Sequence, residues 1–96
     1  MSLKRRLLSQ EEISSLGKGS PLWEVKGNNS IMRKFHFKDF IQAFAFMTKV
    51  AILSEKMCHH PEWRNIYADV EINLTTHDLN GISNLDFELA KAIDEL

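Results

Sequence analysis

The stretch Glu55-Lys56-Met57-Cys58-His59-His60-Pro61-Glu62-Trp63 divides the chain into a strongly apolar segment before it and an alternating segment after it. Pro61 has no amide donor and biases the residue before it away from helical angles. The apolar segment is therefore expected to be a helix that stops here, leaving His59 and His60 at its C-terminal end. That end of a helix carries partial negative charge and favours a protonated imidazole, and histidine ordinarily titrates near pH ~6.5, so the position suits proton transfer. Glu55 lies four residues before His59 and, on a continuing helix, would share its face and orient it.

Working back from this point, Phe40 to Cys58 reads as the longest helix. Phe40, Phe44, Met47 and Ala51 follow one stripe, and Ile41, Ala45, Phe46, Val50, Ile52 and Leu53 widen it beyond a single buried face. One side should pack on a sheet, and the surplus points to a partner helix in a symmetric assembly. Leu22 to Lys26 and Ile31 to Phe37 read as a hairpin turned at Gly27-Asn28-Asn29. On its second strand Ile31, Arg33, Phe35 and Phe37 share one face; Met32, Lys34 and His36 share the other, so His36 reads as a surface residue. A short helix precedes the hairpin. Ser9 caps it, Glu12 reaches back, and Gly17-Lys18-Gly19 with Pro21 end it.

Working forward, Ala68, Val70, Ile72, Leu74 and Thr76 alternate with Asp69, Glu71, Asn73, Thr75 and His77 across a β-like segment from Arg64 to Thr76. No strong turn signal divides it, so one strand or two remains open. Asn80-Gly81 marks a turn, Ser83 to Asp86 repeats the capping pattern, and Leu85, Leu89, Ala92, Ile93 and Leu96 mark a last amphipathic helix. The expectation is an α+β fold with three helices on an antiparallel sheet of about four strands, in the order αββαββα.

Composition bounds the function. A chain of 96 residues makes one domain, expected over residues 8–96 behind a flexible tail at 1–7. Its formal net charge of -1 gives no global reason to expect direct nucleic-acid binding, and Lys4, Arg5 and Arg6 read as a solvated terminal cluster. A lone cysteine, Cys58, suits a reducing compartment. No window resembles a membrane span or a signal core, so a cytoplasmic protein without a membrane partner is expected.

Three chemistries compete with a purely structural role for the histidines. Zinc needs three or four convergent ligands, which adjacent histidines seldom supply. A Cys58 nucleophile would sit at the helix end that does not lower a thiol pKa. Acid–base work by two imidazoles needs neither a metal nor a nucleophile.

Glu55, His59-His60-Pro61, Tyr67, His77 and Asp86, separated in turn by three, five, nine and eight residues, closely resemble the signature of the pterin-4a-carbinolamine dehydratase family. Trp23, the run Phe35-His36-Phe37-Lys38-Asp39-Phe40 and Pro61-Glu62-Trp63 look like family segments in the same order, and the resemblance covers about Leu8 to Leu96. Cys58 stands where relatives often carry an acidic residue. The resemblance implies dehydration of 4a-hydroxytetrahydropterin to quinonoid dihydropterin, which regenerates the cofactor of aromatic amino acid hydroxylases. It implies His59, His60 and His77 as catalytic residues, His59 and His77 being the acid–base pair and His60 orienting the pterin. Pro61, Thr76, Asp78 and Leu79 would line the pocket with the three histidines, and Trp23 would stack near the ring. Asp86 is expected to be structural, as part of a helix cap. No metal and no cofactor is implied, the pterin being the substrate. Assembly as a homodimer or homotetramer through the long helix is implied too. The alternative is a non-enzymatic adaptor that uses that helix to bind the dimerisation region of a homeodomain transcription factor.

Overall fold

The computed structural model describes residues 4–19, 22–27 and 29–96. In chain order the elements are α1 (Gln10–Gly19), β1 (Glu24–Lys26), β2 (Ser30–His36), α2 (Phe40–Met57), β3 (Glu62–Ile66), β4 (Asp69–Leu74), a single 3-10 turn (His77–Leu79) and α3 (Asn84–Asp94). The strands form one antiparallel sheet in the order β1-β2-β4-β3, so the α+β class and the order αββαββα are those expected from the sequence.

Register decides which side chains meet the helices. Ile31 stands opposite Leu74, Phe35 opposite Val70 and Trp63 opposite Ile72, and alternation places all six on one face. Val70, Ile72 and Leu74 are buried there with Ala43 and Val50 of α2 and Leu89, Ala90 and Ile93 of α3. The Phe46 ring lies 4.7 Å from Phe35 and 4.9 Å from Phe37, which fixes α2 against the second strand. Arg33 shares this inner face without being an unpaired charge. Its guanidinium lies 4.4 Å from the Phe35 ring centroid and 2.5 Å from Asp94 at the end of α3.

The segment Arg64 to Thr76 is two strands, not one. Tyr67 takes a left-handed φ of 53°, and the Asn65 side-chain amide donates to the carbonyls of Tyr67 (3.0 Å) and Asp69 (2.9 Å), closing a tight turn at Tyr67-Ala68. The turn is held by a side chain and contains no glycine, which is why the sequence does not announce it.

Helix ends follow capping rules, with two departures from expectation. In α1, Ser9 and Glu12 form the expected reciprocal cap (3.1 and 3.0 Å), but the helix continues through Gly17 to Gly19; Pro21 lies outside the described residues. In α2, Asp39 accepts from the Gln42 amide at 2.9 Å. Its C-terminus is set by Cys58, at φ 53°, three residues before Pro61. Cys58 N–H donates to Glu55 O (3.2 Å) and His59 N–H to Ser54 O (3.0 Å), the paired bonds of a Schellman closure with cysteine in the usual glycine place. The long helix buries Ala43, Val50 and Ser54, while Ile41 (76% exposed), Phe44 (54%) and Ile52 (59%) form an apolar outer face. Among the described residues no helix is long and apolar enough to cross a membrane.

Of the expected tail at 1–7, residues 1–3 lie outside those described. Residues 4–7 are bonded to the loop before α3, where Leu7 pairs antiparallel with Ser83.

Candidate active site

Reversal of the chain at Cys58 separates the two adjacent histidines. His59 turns inward and His60 stays outside, so Glu55 meets His60 Nε2 at 2.8 Å rather than His59. The expected helical pairing of Glu55 with His59 fails because the helix ends at Met57, two residues short of His59, and the chain turns left-handed at Cys58. The partner of His59 comes from α3. Asp86 Oδ1 lies 2.6 Å from His59 Nε2, with 9% of the histidine side chain and none of the aspartate exposed.

Asp86 is itself anchored. Its Oδ2 accepts from the Ser83 backbone N–H (2.8 Å) and from the Thr76 hydroxyl (2.9 Å), and the Ser83 hydroxyl, 2.6 Å away, donates in turn to Thr76 Oγ1. A buried carboxylate is an acceptor only, and here every contact is a donor, so the group is satisfied without water. The same residues cap α3, with the Ser83 hydroxyl accepting from Leu85 N–H at 3.2 Å. Asp86 thus performs the capping role read from the sequence and also orients His59.

Thr76 links this buried pair to His77. It lies at the end of the strand segment and is buried, so it anchors the site from beneath. Paired bonds between Thr76 and Gly81 (2.9 and 3.4 Å) close the 3-10 turn, with Asn80 left-handed at φ 55°. His77 opens this turn and is mostly exposed, on the side opposite buried Thr76. Its Nε2 sits 3.1 Å from Oε1 of Glu62, the first residue of β3, which follows the His59-His60-Pro61 run. His77 and Glu62 are mostly exposed, as are His60 and Glu55, so these two contacts are open to salt in a way the buried pair is not. Asp78 points to Arg5, and its carboxyl is held below the usual carboxylate range chiefly by that hydrogen bond, with the charge of His59 among the smaller causes.

Asp86 thus joins His59 to Thr76, His77 follows Thr76 and meets Glu62, the residue after Pro61, and Asp78 and Leu79 lie in the same 3-10 turn as His77, while His60 pairs outside with Glu55. Trp23 is placed elsewhere. It is 3% exposed, packs edge-on to Phe35, and donates its indole N–H to Asp94 at 2.8 Å, at the C-terminal end of the helix whose N-terminus carries Asp86. Eight residues of helix correspond to about 12 Å. His36 is exposed at the end of β2 and pairs with Asp69, in keeping with a surface role. Among the described residues, no three His, Cys, Asp or Glu side chains gather to hold a metal ion. A depression of about 350 Å³ on the open face of the sheet, at Lys34, His36 and Arg64, does not include the three histidines, so chemistry rather than enclosed volume marks the site.

A family model described as pterin 4 alpha carbinolamine dehydratase matches residues 6–96. The chain belongs to this family. A relative from Prochlorococcus marinus (strain SARG) is 51% identical over 94 residues, covering 98% of this chain and 97% of that protein. One from Synechococcus sp. (strain WH7803) is 52% identical over 90 residues, covering 94% and 96%. Both carry the name "Putative pterin-4-alpha-carbinolamine dehydratase". Among solved structures, a transcriptional coactivator/pterin dehydratase from Brucella melitensis superposes with a TM-score of 0.88 at 38% identity, covering 94% of this chain and 97% of that one. Of the residues around these histidines, Glu62 was visible in the sequence only as part of the Pro61-Glu62-Trp63 segment and Arg5 only as part of a basic terminal cluster, neither with its partner. Asp86 was visible through its place in the family signature.

Proposed function

We propose that this protein dehydrates 4a-hydroxytetrahydropterin, the tetrahydrobiopterin form included, to quinonoid dihydropterin and water, using histidines as acid and base without a metal. The observation that carries the reading is the buried Asp86–His59 pair lying one residue, Thr76, away from His77. In the reaction the C4a–O bond breaks, the hydroxyl takes a proton and leaves as water, N5 gives up its proton, and a C4a–N5 double bond forms. One group must donate and another accept. With its Nε2 proton held by Asp86, His59 presents Nδ1 to the substrate; His77 stands exposed at the start of the 3-10 turn, and the two exchange roles for the two C4a stereoisomers. His60 orients the pterin, and Pro61, Asp78 and Leu79 border it.

The test is a rapid assay of freshly generated substrate in buffer containing a chelator. His59→Ala and His77→Ala are expected to lose roughly 10²-fold or more in kcat, the scale of positioned acid–base catalysis, while the wild-type rate is indifferent to the chelator. Full activity in both folded variants would contradict the assignment.

The outer face of α2 supports a second role beside catalysis. Ile41, Phe44 and Ile52 form an exposed apolar surface, and the Brucella relative is described as a transcriptional coactivator as well as a dehydratase. We assign this face to a homodimer or homotetramer, with an adaptor role toward a transcription factor as the competing use. A cytoplasmic location fits both readings.

A further inference from the structure

Residues 4–8 lie as a strap along the loop that precedes α3. Leu8 N–H donates to Ile82 O (2.9 Å), Asn84 N–H to Arg6 O (3.1 Å), Arg6 N–H to Asn84 Oδ1 (2.9 Å) and Asn84 Nδ2 to Lys4 O (2.9 Å). These bonds end on the residues flanking Ser83, whose backbone and hydroxyl help hold Asp86 and through it His59. An extended strap sends alternate side chains to opposite sides. Arg6 pairs with Glu12 of α1 (2.8 Å), while Leu7 approaches Gly81 closely enough that a Cβ there would come within 3.0 Å of Leu7 Cδ2. Arg5 shares the side of Leu7, and its guanidinium forms an ion pair with the Asp78 carboxylate.

Asp78 is the residue after His77, in the 3-10 turn that the Thr76–Gly81 bonds close from within. From outside, the turn is gripped by Glu62 at His77 and by Arg5 at Asp78. The strap is thereby fastened to both halves of the histidine pair: to His59 through the Ser83 loop, and to His77 through Arg5.

Resting on the dehydratase reading, we infer that Arg5 is a positioning residue for the reaction, which through Asp78 holds His77 at the spacing from His59 that proton transfer requires. A basic side chain in a loose tail would need no such backbone anchoring. The pair is exposed, so its weight falls on geometry and little on global stability.

The experiment measures kcat and KM together with melting temperature for Arg5→Ala, Arg5→Lys, Asp78→Ala and the Arg5→Ala/Asp78→Ala double variant. Arg5→Ala is expected to lower kcat about 10-fold with KM within about 2-fold, and to move the melting temperature by no more than about 2 °C. Arg5→Lys should recover at least half of the loss in kcat, and the double variant should be no slower than the slower single one. An unchanged kcat in Arg5→Ala overturns the inference. So does a loss of kcat that tracks a loss of melting temperature and is not recovered by lysine, because that is structural support alone. A folded wild-type protein without dehydratase activity marks failure of the underlying reading instead. Amide exchange at His77–Gly81 then decides the clamp: faster exchange in Arg5→Ala supports it, and equal exchange overturns it.

Discussion

His59 owes its setting to one carboxylate that satisfies three donors at once, and this makes Asp86 the residue where stability and chemistry are hardest to separate. An asparagine keeps the shape but presents its amide NH2 either to the Thr76 and Ser83 donors, setting donor against donor, or to His59, whose Nε2 must then accept so that its proton moves to Nδ1, the nitrogen that faces the substrate. Asp86→Asn is therefore expected to reduce kcat by roughly 10²-fold. Asp86→Ala leaves His59, Thr76 and the Ser83 amide without their partner and should cost about 3 kcal/mol in urea unfolding. Full activity in Asp86→Asn would reduce the carboxylate to a helix cap. At this scale the sequence was only partly legible. The signature named the histidines and included Asp86, and the capping pattern gave Asp86 its first role. The His59–Asp86 contact was hidden because it depends on a left-handed Cys58, a conformation cysteine does not advertise. Glu62 is likewise paired with His77 by the turn, across 15 positions of sequence, with no local pattern to reveal it.

At the scale of elements, periodicity carried most of the fold. The alternation of Ala68, Val70, Ile72, Leu74 and Thr76 corresponds to a row of buried residues, and the apolar run after Phe40 is one helix. What periodicity left open was the division of the second β segment, where a side-chain-held turn at Tyr67 replaces the glycine that would have marked it. The excess apolar content of α2 was legible, and it sits on the outer face, opposite Ala43 and Val50. A charge placed there tests its use. Ile41→Asp and Ile52→Asp should lower the mass seen by sedimentation to that of the monomer while leaving the circular dichroism of the fold intact, since neither side chain meets the core. An unchanged mass, in either an assembled or a monomeric wild type, would remove the oligomer assignment from this face. By contrast Leu89, fully buried on α3, should cost about 2–5 kcal/mol when replaced by alanine.

For the whole molecule, the radius of gyration of 13.0 Å is that of a chain of this length folded as one body. The segment 4–8 helps to close that body, through ion pairs at its two sides. Glu12 is depressed to about 2, chiefly by its hydrogen bond from Arg6, and Asp78 is depressed chiefly by Arg5. Carboxylates with lowered folded values stabilise the native state above their unfolded pKa and lose that contribution as pH falls through the folded value. The melting temperature should accordingly be insensitive to these two groups above about pH 5 and fall between about pH 4.5 and 2. Arg6→Ala should flatten the Glu12 part of this acid slope; an unaltered slope would show that the Arg6–Glu12 pair does not couple to folding. Three successive basic residues read as a solvated terminus because charge alone does not say what it faces, and only the fold supplies Glu12 and Asp78 as partners.

Catalysis by the histidine pair is tested most directly by the rate at which the wild-type chain dehydrates freshly generated 4a-hydroxytetrahydropterin, followed against the spontaneous reaction near neutral pH. The expected result is an acceleration proportional to protein concentration, retained in chelator and abolished in a His59→Ala/His77→Ala variant of unchanged fold. A folded wild-type chain that leaves the spontaneous rate unaltered would contradict it.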